Sequence, residues 1–199
     1  MTPGNLSGKI LIVEDEPRLA QLLSDYLAAA GYLTCICSDG DAALHMLRQQ
    51  RPDLVLLDWM LPGRDGLGIC QEVRQFSNVP IIMVTANLEE RERMFTDLRA
   101  QGIPFTNVID PSVEIRTNVT IGTGNLIMAN GFLAACVTLG DNNFLASHTC
   151  IEHHSIIGNH CTFGPRSTTS GAVVIGDKVK FGMGVLVEPY LTIGSHSLI

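Results

Sequence analysis

The chain has 199 residues, 46% of them hydrophobic, and a formal net charge of -7. That length suits one or two domains, and 13 basic residues against 20 acidic ones, with no basic run, argue against a general nucleic-acid-binding surface. No stretch of 18 apolar residues occurs and the first residues carry no apolar leader, so no membrane span and a cytoplasmic location are expected.

Three short apolar runs, 9–15, 53–58 and 80–85, have the length and continuity of parallel strands covered on both faces. Between them lie helical patterns: Leu19, Leu22, Leu23, Tyr26 and Leu27, then more loosely Ala42, Leu44, Met46 and Leu47, then a helix over 66–76. Alternating strands and helices predict right-handed crossovers and an open parallel sheet. Cys35 and Cys37 alternate along one further strand and face the same side. With Cys70, Cys136, Cys150 and Cys161 they form no CxxC pair and read as buried thiols.

In such a sheet the carboxyl ends of the strands meet in one crevice. That rule gathers Glu14, Asp15, Asp58 and Thr85. Three carboxylates in one cleft call for a cation, and an all-oxygen set suits Mg²⁺. Asp58 would then serve as a nucleophile toward a phosphoryl donor, with Thr85 hydrogen-bonding the phosphoryl group. The stretches ILIVEDE, LVLLDWMLPGRDG and PIIMVTA resemble response-regulator receiver domains of the OmpR type over about 9–86. The resemblance implies that Asp58 is the phospho-acceptor, Glu14 and Asp15 the metal-binding acids and Thr85 the switch hydroxyl, with a sensor kinase as partner.

After Ala86 the receiver pattern fades, and the chain reads as a splice there. Asn87-x-x-Glu90 resembles a capping box ahead of a helix carrying Met94, Phe95 and Leu98 and ending near Gly102. A strand over Phe105–Ile109 is expected to complete a five-stranded sheet of order 2-1-3-4-5. It ends in Asp110-Pro111, where receivers carry Lys-Pro, so a phosphoaspartate would meet an acid in place of its usual ammonium partner. The expected domains are 1–109 and 110–199.

From Asp110 onward the chain is fifteen hexapeptides without an insertion. The sixth residues, from Ile115 through Leu133, Ile151 and Phe163 to Ile199, are large and apolar except Thr169. Gly122, Gly140, Gly158, Gly176 and Gly194 recur every 18 residues. Neither a helix nor a simple strand has this period, whereas a three-sided parallel solenoid of about five coils does. Gly after the apolar residue is expected to permit the backbone turn, and small or β-branched residues two before it to fit the corners.

These hexapeptides, with Ile151-Glu152-His153-His154-Ser155-Ile156-Ile157-Gly158, resemble the left-handed β-helix acyltransferases. The segment 87–109 is similar to the end of the nucleotide-binding domain in sialic-acid O-acetyltransferase-type enzymes. The resemblance implies acetyl-CoA as co-substrate, a homotrimer with active sites between prisms, and a sugar or nucleotide-sugar acceptor. His153 matches the general base of the family's Glu-His step, with Glu152 before it. Thr162 aligns with a second His that helps hold acetyl-CoA, and Gly182 and Gly184 line the coenzyme groove. Two departures stand out: His154 replaces the acid that orients the base, and Thr162 replaces the second His. The cluster His148, His153, His154 and His160 also admits Zn²⁺. The leading reading is thus an acetyltransferase acting on an amino or hydroxyl group. A phospho-accepting receiver on a trimeric platform and a non-catalytic trimerising scaffold are the alternatives.

Overall fold

The computed structural model describes residues 8–62, 66–84 and 88–199, and the chain divides into two compact units, 1–94 and 95–199. In the first unit the elements run β1 (Lys9–Val13), α1 (Pro17–Ala29), β2 (Leu33–Cys37), α2 (Gly40–Gln50), β3 (Leu54–Asp58), α3 (Gly66–Arg74) and β4 (Ile81–Val84). The four strands are parallel in the order β2-β1-β3-β4, a flavodoxin-like sheet. Leu11, Val13, Val55 and Leu57 are buried in its centre with Ala43, Leu44 and Leu47 of α2 and Ile69 and Val73 of α3. Cys37 joins this core and Cys35 packs against it, so the two thiols do share a face.

Helix α1 departs from the expected stripe. Leu22 and Tyr26 are exposed, while Ala20 is buried and Leu19, Leu23 and Leu27 are half-buried, so the packed face is turned toward 20, 23 and 27. Helix α2 starts where Asp39 accepts the Ala42 N–H at 2.8 Å and stops at Arg51, which is left-handed at φ 45°.

Helix α4 (Leu88–Ala100) crosses the division between the units. Gly102, at φ 76°, ends it, with the Ile103 N–H closing on Leu98 O. Asn87, the proposed cap, lies outside the described residues. The expected fifth strand does not join the four-stranded sheet. Only Val108–Ile109 is extended, and it pairs with Leu126–Ile127 as the first rung of the solenoid. The reason is visible in the register: Ile109 stands six residues before Ile115 and already obeys the hexapeptide period.

The second unit is a left-handed β-helix: two-residue strands stacked as three parallel sheets of five. One face begins at Val108–Ile109 and contains Thr162–Phe163, the next contains Cys150–Ile151 and Thr168–Thr169, and the third contains Ile156–Ile157. The sixth-residue side chains fill the prism, Phe163 stacking on Phe181 at 4.5 Å. Val137, Cys161, Val173 and Val179, two before the sixth residues, also point into this core.

The corners differ from expectation. Every sixth residue from Asn118 to His196 has a left-handed backbone, and most of these are not glycine. Asn and His recur there because they tolerate this conformation better than other side chains. The glycines that follow the apolar residues serve another purpose. A Cβ at Gly140 would lie 2.6 Å from Gly158 O, and one at Gly158 would lie 2.8 Å from the Gly176 backbone. At 122, 140, 158 and 176 glycine is required by the close approach of successive coils, whereas Gly194, on the last coil, has no atom within 4 Å of a would-be Cβ.

Polar side chains reinforce that corner at a spacing of 18. Asn125 Oδ1 accepts the Asn143 N–H and Asn143 Oδ1 accepts the Cys161 N–H, both at 2.8 Å. Beside them Asp141, Asn159 and Asp177 each accept the N–H of the residue 18 positions earlier. This satisfies backbone donors that a two-residue strand leaves over at each turn.

Candidate functional site

The acids of the first unit come together. Val13 pairs with Leu57, and Glu14, Asp15 and Asp58 follow directly, their carboxylate oxygens all within 4.8 Å of one another. Asp58 sits opposite Val84 at the end of β4. Thr85 lies outside the described residues. Glu14 is buried, and burial raises its carboxyl above the usual range, with the charges of Asp58, Asp15 and Glu16 adding to the rise and the N–H of Glu16 opposing it. A hard divalent cation fits this donor set, since it neutralises the crowding that lifts Glu14. Asp110, expected opposite these acids, belongs instead to the second unit. There it accepts the N–H and hydroxyl of Ser112 at 2.9 and 2.6 Å, bonds that hold its carboxyl below the usual range.

The histidines are dispersed. His148, His154 and His160 occupy three successive corners, hence three different edges of the prism, so the four-histidine zinc reading fails on geometry. Among the described residues, the three acids of the first unit are the group of His, Cys, Asp or Glu side chains close enough to share an ion.

His153 is the solenoid histidine that does not occupy a left-handed corner position. It projects, exposed, from the turn between Cys150–Ile151 and Ile156–Ile157. Its Nδ1 lies 3.1 Å from Nδ1 of His154, and the two rings meet edge to face. One coil on stands Gly171, where a Cβ would lie 2.6 Å from His153 Cε1 and 2.8 Å from Nε2. Gly171 therefore makes the space the imidazole occupies. Glu152 is held from behind: its N–H reaches both the carbonyl and the hydroxyl of Thr169 at 3.3 Å. Its carboxylate accepts the Cys150 S–H at 3.7 Å, and burial, with Glu152 beside it, pushes that thiol up to about 11.

Sequence reasoning missed Gly171 and Thr169. The signal for Thr169 was present, since it is the one polar residue in the apolar column and it neighbours the Glu-His step one coil away. Gly171 falls outside the glycine column of 122, 140, 158, 176 and 194, and only the stacked coils reveal what it faces.

Thr162, Gly182 and Gly184 are not brought to the His153 corner. Thr162 is half-buried on the Val108 face, and Gly182 and the left-handed Gly184 are exposed at the corner that follows that face. Within one chain, catalytic and coenzyme candidates thus sit on different edges. A cavity of about 390 Å³ in the second unit lies at yet another edge, lined by Phe95, Arg99, Asp141, Asn159 and His160. Arg99 pairs with Asp141 there, and His160 Nδ1 meets Asn142 Nδ2 at 2.8 Å.

Comparison with known proteins divides the chain in the same manner. Residues 10–103 match the response regulator receiver domain and 102–198 match the GMPPB C-terminal domain. The transcriptional regulatory protein BaeR of Escherichia coli is 59% identical over 86 residues, covering 43% of this chain and 36% of BaeR. The DNA-binding response regulator MtrA of Mycolicibacterium smegmatis is 47% identical over 81 residues, or 41% of this chain and 36% of MtrA. The chain therefore spans about a third of the length of these curated relatives. A crystal structure of PerB from Caulobacter crescentus, in complex with CoA and GDP-perosamine, aligns over 97% of this chain and 86% of that chain. Its TM-score is 0.60 at 20% identity, a likeness of fold. An α/β sheet followed by a β-helix is thus an arrangement that a solved protein shares.

Proposed function

We propose that the chain is an acetyl-CoA-dependent acyltransferase that acetylates an amino or hydroxyl group of a sugar or nucleotide sugar. The observation that carries the reading is His153, exposed at a corner, fitted over Gly171 and partnered at Nδ1. The fold shared with PerB, whose crystals hold CoA and a nucleotide sugar, supports the choice of substrates. In the reaction the acceptor nitrogen or oxygen attacks the thioester carbonyl, His153 Nε2 takes its proton, and the C–S bond breaks as His153 returns that proton to the sulfur and CoA leaves as the thiol. Backbone N–H groups of the coil stabilise the oxyanion. Because Thr162, Gly182 and Gly184 stand on other edges, the complete site needs a second prism, and the working form is a homotrimer.

The test is steady-state acetyl transfer from acetyl-CoA to amino-sugar nucleotides. His153→Ala should lower kcat/KM by roughly 10²–10⁴-fold, the usual contribution of a positioned base. An unchanged rate removes His153 from the mechanism, and a monomeric native mass at high concentration removes the interfacial site.

The clustered acids favour a second reading, a phospho-accepting receiver in cytoplasmic signalling whose partner is a sensor kinase. Glu14, Asp15 and Asp58 would hold Mg²⁺, which screens the carboxylates and the incoming phosphoryl oxygens. Asp58 would accept the phosphoryl group. Labelling by acetyl phosphate, abolished in Asp58→Ala, is the expected outcome; an unlabelled parent protein sinks this reading.

A further inference from the structure

The residue after the candidate base is itself a histidine, and its geometry gives it a task. His154 is fixed by its backbone: it occupies a left-handed corner at φ 59°, and its N–H is bonded to Ala135 O at 3.1 Å. The two Nδ1 atoms meet at 3.1 Å with the rings nearly perpendicular, at 85°. A bond between two imidazole nitrogens needs one proton and one lone pair. If His153 carried its proton on Nε2, its Nδ1 would be the acceptor and Nε2 could not take a proton from an acceptor substrate. If His153 carries it on Nδ1, the proton points at His154 and Nε2 keeps its lone pair, while Gly171 leaves room for the ring.

We propose that His154 is a positioning residue: its Nδ1 accepts a hydrogen bond from Nδ1–H of His153, holding that imidazole in the tautomer whose Nε2 is a base. This rests on the reading of His153 as the general base and adds how this chain, lacking a carboxylate at 154, orients it. His154 must then be neutral, with its own proton on Nε2, because a doubly protonated imidazole has no lone pair to offer. No covalent change occurs at His154. Its contribution is to restrict the tautomer and rotation of the His153 ring, while Gly171 restricts nothing and supplies room.

The experiment has two arms on the full chain. In the first, the ring nitrogens of ¹⁵N-labelled protein are correlated with the ring carbon-bound protons by NMR, His153 being assigned by its loss in His153→Gln. Protonated Nδ1 and bare Nε2 are expected for His153, with the reverse for His154. Conversion of His153 to the Nε2-protonated form is expected in His154→Gly, a variant that keeps the left-handed corner without strain. A His153 protonated on Nε2 in the parent overturns the proposal. The second arm follows acetyl transfer. His154→Gly should lower kcat about ten- to a hundredfold, a part of what a positioned base supplies, with little change in KM. His154→Asp and His154→Asn, whose side chains accept a hydrogen bond and tolerate the corner, should restore most of it. Equal rates in parent and His154→Gly, with His153→Ala inactive, overturn the positioning role and leave the base assignment standing. An active His153→Ala overturns the base assignment instead. The tautomer arm needs no turnover and decides the hydrogen bond in either case.

Discussion

The two units assemble their candidate sites by opposite routes. In the receiver-like unit, Glu14 and Asp58 lie more than forty positions apart in the chain and become neighbours because β1 and β3 pair, Val13 beside Leu57. In the β-helix, everything near His153 is either adjacent in sequence or one coil away, as Gly171 and Thr169 are. A sheet crossed by helices concentrates unlike residues at one rim, and its cost is electrostatic crowding. A solenoid repeats, so a residue gains special surroundings only where the repeat is broken. His153 is outside the left-handed column, Thr169 interrupts the apolar column and Gly171 stands outside the glycine column.

This contrast can be broken most sharply in the prism core. Phe163→Ala removes a fully buried ring stacked on Phe181 and should cost about 3–5 kcal/mol, measured by urea unfolding. A loss below about 1 kcal/mol would mean that neighbouring coils collapse around the gap. Next comes the glycine column. Gly158→Ala places a Cβ 2.8 Å from the Gly176 backbone, so about 1–3 kcal/mol of destabilisation is expected. An unchanged melting temperature would show that the coils can part without penalty. Asn125→Ala strips a buried amide that accepts the Asn143 N–H and donates to Gly140 O, and should cost about 1–3 kcal/mol in the same assay.

The smallest effect belongs to the receiver-like unit and has a definite sign. The Glu14 carboxyl is raised by burial and then by its acidic neighbours, above its ordinary value of 4.5. The folded state therefore keeps its proton where the unfolded chain has lost it. Stability from this group is fully present below the ordinary value and is lost as pH rises through the raised one. Glu14→Gln should accordingly be more stable than the parent at neutral pH, with the difference fading toward pH 4. Added Mg²⁺ should shrink the neutral-pH difference by favouring the ionised parent. A difference independent of both pH and Mg²⁺ would show that the acids do not act as one site.

The sequence carried much of this. The three strands expected at 9–15, 53–58 and 80–85 emerged within a residue or two, because continuous apolar runs between helices have few other uses, and Cys35 and Cys37 do lie on one strand, Leu33–Cys37. Glu14, Asp15 and Asp58 were legible as a cluster, since parallel pairing aligns strand ends. Misreadings came where local pattern lacked context. Phe105–Ile109 has the composition of a strand for either sheet, and only the six-residue step from Ile109 to Ile115 favours the solenoid. Leu22 and Tyr26 look like part of a buried stripe, yet α1 packs through the face of Ala20, Leu23 and Leu27 and leaves both of them exposed. The glycines at 122, 140, 158 and 176 look like turn residues, but the turns rest on Asn, His and others with left-handed backbones.

By itself, then, the sequence determined the period of the prism, the order of the first four strands and the identity of the acids at their ends. These follow from spacing and hydrophobicity, which are properties of a line. Tertiary structure alone decided why Gly171 is a glycine, and that His153 faces His154 while Thr162 and Gly184 stand on other edges. Those depend on what lies 18 residues away across a coil and on the sign of φ at each corner, neither of which a linear pattern contains.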